Sequence, residues 1–279
     1  MLKDIMVHFD GSAEDDIRLA HATKLASSLS SPHIIGLYTN PLPEYAYVLA
    51  VQSGLAPMEP IIEAEEQLRK AGDVTAADLA QKLAKIALPG TVRRLDIGAS
   101  QIVRRGVAEA HWADLFVASV PYQREPVLYW DELVEGVMFE SGHGIYLVPA
   151  ASKTPPELNS ILIAWRPTRE AARAIAEALP LLKAARNIRL VTIDPEDDAA
   201  PEASRIVEYF THHGLNVEVL TLASEQKSIP EILLREARSI KAGLIVMGAY
   251  GHSRLREWIL GGATREIIEK SDIPLLLAH

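Results

Sequence analysis

Four stretches from the first half of this 279-residue chain recur, in order, in its second half. Asp4–Phe9 (DIMVHF) returns as Ser160–Trp165 (SILIAW) at an offset of 156, and His33–Pro41 (HIIGLYTNP) as Asn187–Pro195 (NIRLVTIDP) at an offset of 154. Ala113–Val120 (ADLFVASV) returns as Ala242–Ala249 (AGLIVMGA), and Ile145–Pro149 as Pro274–Ala278, both at an offset of 129. Each is a short apolar run of the kind that forms a strand buried on both faces. Between them lie helical patterns, in the first half Ala13–Leu29, Ile61–Leu88, Ser100–His111 and Leu128–Glu140, with a further strand at Thr91–Ile97. Strands alternating with helices require a parallel sheet covered on both sides, so the chain reads as two copies of one doubly wound α/β unit. The polar, proline-containing stretch Ala151–Asn159 separates them, giving units 1–150 and 160–279 with five strands each. The Pro-rich stretch Pro41–Pro60 has only Pro195–Ala200 as its counterpart, which accounts for the smaller later offset.

The second copy holds the stretch richest in chemistry. Its strand Leu244–Met247 runs straight into Gly248 and Gly251; after nine intervening residues come Gly261 and Gly262, then Ala263 and Thr264, where a helical pattern through Lys270 opens. Glycines at a strand exit and a helix start let backbone N–H groups approach a phosphate and set it on the positive helix end. Arg254 and Arg256 add positive charge to the same loop. The spacing is neither the Rossmann nor the Walker pattern.

The order strand, Gly-x2-Gly-x9-Gly loop, helix and strand resembles the nucleotide loop of the universal stress protein family, whose usual form closes on Gly-Ser/Thr. Both halves resemble such domains, which implies a tandem member: two doubly wound parallel five-stranded sheets of the adenine nucleotide alpha hydrolase-like fold, related by a pseudo-two-fold axis. The resemblance implies a stress-response binding and signalling protein of the cytoplasm, with ATP as its ligand, magnesium alongside it, and no other cofactor. It places phosphates against Gly248, Gly251, Gly261 and Gly262, with Ala263 and Thr264 at the helix start, Ile193 beside the adenine, and Arg166 bordering ribose or phosphates. Single-domain members dimerise through their last strands. Here Ile145–Val148 and Pro274–Ala278 are therefore expected to pair antiparallel within one chain, protecting both edges. A homodimer of whole chains, and unidentified protein partners, stay open.

The halves differ where the resemblance matters most. At the offset of 129, Gly248 falls on Ser119, Gly251 on Tyr122, Gly261 on Glu132 and Gly262 on Leu133, so the first half has none of the glycines and is expected not to hold a nucleotide there. Conversely, Asp10-Gly11-Ser12 fits the family's strand-end acid pattern, while the second half has Arg166-Pro167-Thr168. The second half also departs at Gly262, where the family has Ser or Thr after the glycine at Gly261; Thr264, two residues on, is read either as a phosphate ligand or as satisfying helix N–H groups. Arg166 is read either as a phosphate ligand or as an ion-pair partner of Asp194 or Glu196. His252 is read as a solvated loop residue, and Tyr122–Trp130 as a contact surface or as packing over the altered first-half loop.

Composition narrows the functions. The net charge is −9, with −8 in residues 1–150 and −1 in the remainder, which opposes a general nucleic-acid role and leaves the second half readier to take an anion. No apolar run approaches the ~18 residues of a membrane span. The chain has no cysteine, which excludes disulfides and thiolate metal sites, and its first residues do not read as a signal peptide. Adjacent His212 and His213 point apart on a helix and cannot share a metal. No Walker lysine, carboxylate pair or Ser/His/Asp set stands at a motif spacing, so no catalytic residue is assigned and an enzyme is not expected, beyond at most slow ATP hydrolysis. The competing reading is a nucleotide-free interaction module of the same fold.

Overall fold

The computed structural model describes residues 2–29, 32–43, 59–122, 129–195, 200–250 and 262–279. The first-half strands are β1 (Asp4–Phe9), β2 (His33–Leu42), β3 (Gly90–Gly98), β4 (Leu115–Ser119) and β5 (Gly144–Val148). Its helices are α1 (Glu14–Ser27), α2 (Glu59–Lys85), α3 (Ala99–Ala110) and α4 (Trp130–Glu140). The second half repeats the order with β6 (Ser160–Ala164), α5 (Arg169–Leu182), β7 (Asn187–Ile193), α6 (Ala200–His212) and β8 (Glu218–Leu222). It continues with α7 (Ile229–Ser239), β9 (Leu244–Gly248), α8 (Gly262–Lys270) and β10 (Leu275–Ala278).

All ten strands form one sheet in the order β3-β2-β1-β4-β5-β10-β9-β6-β7-β8. Pairing is parallel within each half. It is antiparallel at the centre, where Leu275, Leu276 and Leu277 oppose Leu147, Tyr146 and Ile145. The three leucines are completely buried, so this seam removes two apolar edges from water as the duplication required.

Strand alternation feeds two apolar layers. On one face Met6, Phe116, Ile145 and Leu147 pack with Ile102 and Val107 of α3, Leu133 and Val137 of α4, Leu233 of α7, and Ile267 and Ile268 of α8. On the other, Ile5, Val7, Leu115 and Tyr146 pack with Leu19 and Leu25 of α1, Leu79 and Leu83 of α2, Ile175 of α5, and Phe210 of α6. Each layer runs across the seam, so the halves share their cores in addition to repeating a topology.

At the start of α1 the Ser12 hydroxyl accepts from the Glu14 N–H at 3.3 Å, and the Asp15 carboxylate accepts from the N–H groups of Asp10 and Gly11 at 3.1 and 2.9 Å. One local expectation is corrected. α8 begins at Gly262, two residues before Thr264, and a Cβ on that glycine would meet none of the described residues within 4 Å. The strand order places a switch point between β6 and β9, and another between β1 and β4, which are the crevices where open α/β sheets take ligands.

Candidate functional site

At the β6/β9 switch point lies a cavity of about 370 Å³. Its walls include Arg166, Ile193, Gly248, Gly262, Ala263 and Thr264, six residues named from sequence, contributed by or adjoining β6, β7, β9 and α8. Gly251, Gly261, His252, Arg254, Arg256 and Glu196 lie outside the described residues. Trp165, Val191, Ile229, Leu233 and Met247 make one part of the lining apolar, and Thr168, Glu170 and Tyr250 also face it. Ile229 and Leu233 escaped the sequence reading because they sit on an ordinary amphipathic helix, α7, held at its start by a Ser228–Glu231 capping box.

The two helix starts that border the cavity are not equivalent. That of α5 is already satisfied: Thr168 Oγ1 accepts from the Ala171 N–H at 3.3 Å. Glu170 adds a carboxylate there. Burial would raise its pKa, but its own backbone N–H, Arg169, His279 and Thr168 hold it below the ordinary value, so it is ionised at neutral pH. The start of α8 presents Gly262 and Ala263 with no acid in the first turn. An anion is therefore repelled from α5 and admitted at α8.

The glycines separate into two physical roles. A Cβ on Gly248 would lie 2.5 Å from Ala171 N and 2.6 Å from the Glu170 carbonyl carbon, so this glycine is needed where β9 meets the backbone of α5. A Cβ on Gly262 would meet nothing within 4 Å, so nothing in the described protein demands glycine there. Thr264 is buried, and its Oγ1 accepts at 3.4 Å from the N–H of Tyr250, which follows β9 and is not one of the helix N–H groups expected for it. Asp194 does not pair with Arg166: its carboxylate accepts from the Ser224 N–H at 3.0 Å, and Arg166 has no ion pair among the described residues. Arg166 stands exposed at the cavity. Among the described residues no cluster of metal-ligating side chains forms, His212 and His213 included.

At the equivalent place in the first half, beside a smaller cavity of about 250 Å³ bordered by Glu14 and Ser119, the strand ends are tied by a buried ion pair. Arg18, fully buried, donates to Asp10 at 2.7 Å, to Asp15, and to Ser119 Oγ at 3.1 Å, while Ser119 donates to Glu14 at 2.6 Å. Burial would raise the pKa of Asp10, but the Arg18 guanidinium, aided by His8 and Ser12, holds it well below the carboxylate range. Asp15 is pushed up instead, because burial outweighs its share of the same guanidinium. The strand-end acid Asp10 thus serves an internal ion pair. Helix α4 starts at Trp130, three residues before Leu133, the counterpart of Gly262, and Trp130 and Tyr129 are buried over it. For these two aromatics packing is the outcome; residues 123–128 lie outside the described part. Sequence reasoning missed Arg18 because one arginine on a helix with three preceding acids looks like a solvated face.

Residues 157–279 match the family model described as the universal stress protein family. The match is confined to the second half of the chain. A curated relative, a universal stress protein of Synechocystis sp., is 33% identical over 63 residues, covering 23% of this chain and 21% of its own length. The matched part is thus about a fifth of that relative. A universal stress protein from Archaeoglobus fulgidus DSM 4304 superposes with a TM-score of 0.75 at 15% identity, over 99% of this chain and 95% of that one. A functionally unknown protein from Pseudomonas aeruginosa PAO1 gives 0.61 at 12% identity, over 99% and 92%. The cytoplasmic domain of a prokaryotic cation chloride cotransporter gives 0.56 at 12%, over 99% and 95%. At such identities the likeness is one of fold, and it extends the universal stress protein fold over both halves.

Proposed function

We propose that this universal stress protein is a binding and signalling protein whose second half takes an adenine nucleotide, ATP with its magnesium, and whose first half takes none. The observation that carries the reading is the cavity at the β6/β9 switch point, which joins an apolar wall at Val191, Ile193 and Met247 to the helix start at Gly262 and Ala263, with no acid in its first turn, and to Arg166, which has no ion pair among the described residues. A planar base suits the first and a phosphate the other two. In this reading the base lies by Ile193, the phosphates lie along Gly262, Ala263 and the Gly251–Gly261 loop, and Gly248 shapes the wall. The role is binding, in the cytoplasm, with no catalytic residue assigned. No helix among the described residues is long and apolar enough to cross a membrane.

The test is calorimetric titration of ATP into wild type, Gly262→Glu and Glu132→Gln. Glutamate at Gly262 meets open space and suits a helix start, so the protein should fold while its carboxylate repels a phosphate. Binding by wild type and Glu132→Gln, and none by Gly262→Glu, is expected. Equal affinity in all three removes the α8 start from the site, and no binding by wild type at millimolar ATP returns the module to a nucleotide-free role.

A further inference from the structure

Tyr122 belongs to the first half, yet its ring serves the second. It follows β4 at the place that the offset of 129 gives to Gly251, and it keeps a left-handed backbone, φ +69°, that a side chain rarely adopts. Two bonds to α4 hold it there: its N–H donates to Asp131 at 3.0 Å and its hydroxyl to Glu135. The ring face is thereby presented across the seam to Arg265 of α8, whose guanidinium carbon lies 4.6 Å from the ring centroid. Arg265 is fixed from the other side by Glu269, at 2.8 Å.

A second contact reaches the same region. Phe139 of α4 packs on Tyr250 at 5.1 Å between ring centroids and on His279 at 4.8 Å, edge to face. His279 donates from Nδ1 to the Ala249 carbonyl at 3.0 Å. Tyr250 also has a left-handed backbone, φ +57°, and its N–H reaches Thr264 of α8. Burial raises the pKa of both Tyr122 and Tyr250, and their proximity to each other and to Glu135 adds to the rise at Tyr122. Both phenols are therefore neutral packing groups at any physiological pH. Tyr250, Thr264 and the start of α8 line the cavity. The first half, having lost its own glycine loop, thus places an aromatic residue where it grips the helix of the other site.

We propose that Tyr122 is a positioning residue for the second-half cavity: through Arg265 and Tyr250 the first half fixes the start of α8, and with it ligand affinity. The affinity part rests on the nucleotide reading above; the grip on α8 does not. The experiment uses the full chain as wild type, Tyr122→Phe, Tyr122→Ala and Arg265→Met. Hydrogen exchange is followed without ligand at the amides of Tyr250 and residues 266–270, whose N–H groups are bonded, and ATP is titrated separately. Tyr122→Ala and Arg265→Met should speed exchange at those amides severalfold while leaving the β1 amides unchanged. Each should weaken ATP about 2- to 5-fold, the lower range of a cation–π contact because Arg265 is half exposed. Tyr122→Phe, which keeps the ring, should stay within about twofold of wild type. Unchanged exchange in both Tyr122→Ala and Arg265→Met overturns the proposal whether or not ATP binds. Faster exchange with unchanged ATP affinity overturns its ligand part. Absence of ATP binding by wild type overturns the nucleotide reading and leaves the exchange result to judge the grip. Arg265→Met removes the same contact from the opposite side should Tyr122→Ala fold poorly.

Discussion

Replacing Gly262 by alanine should move stability and affinity in opposite directions. Gly262 is the first residue of α8, and an added Cβ would meet nothing within 4 Å. Alanine lowers the entropy of the unfolded chain and favours the helix, which stabilises by about 0.4–1 kcal/mol. For a chain of this size that is a rise of about 1–4 °C in Tm without ligand. The same methyl group would stand where a phosphate must meet the N–H groups of α8. Charge-assisted bonds of this kind contribute about 1.5–3 kcal/mol, so losing one weakens ATP by about tenfold or more. The melting order should then reverse on adding nucleotide. At a concentration 100 times the wild-type Kd, wild type gains about 2.7 kcal/mol and a variant with tenfold weaker binding about 1.4. The difference exceeds the helix gain. Calorimetric melting with and without ATP, beside titration, reads both signs. A stabilised Gly262→Ala that binds ATP as tightly as wild type would refute the placement of phosphate at α8. A destabilised one would refute the claim that the protein itself leaves that space open.

Gly248→Ala should behave differently: its Cβ would lie 2.5 Å from Ala171 N, so urea unfolding should show a loss of about 1–3 kcal/mol that persists in saturating ATP. Arg18→Met should cost about 3–5 kcal/mol in the same assay, because it strands Asp10 and the buried Asp15 without their shared cation; a loss under about 1 kcal/mol would mean that the ion pair is not what holds the first-half crevice.

The duplicated strands, their parallel pairing within each half and the antiparallel meeting of Ile145–Val148 with Pro274–Ala278 were legible from sequence because period and repeat are local properties of the chain. So was the set Arg166, Ile193, Gly248, Gly262, Ala263 and Thr264, which the fold brings to one cavity. Sequence could not separate the two uses of glycine: Gly248 is fixed by the backbone of a helix that starts 79 residues earlier at Arg169, with Thr168 at its cap, whereas Gly262 meets none of the described residues. It could not pair Asp10 with Arg18 in preference to a ligand, since that choice depends on complete burial of a side chain on a helix that reads as charged. Nor could it join Tyr122 to Arg265, residues from opposite halves. Local pattern determined which elements form and where backbone can approach an anion. Tertiary packing decided which charges are compensated internally, which helix start at the cavity carries an acid in its first turn, and that side chains of the half without the glycine loop reach α8 and Tyr250 of the half that has it.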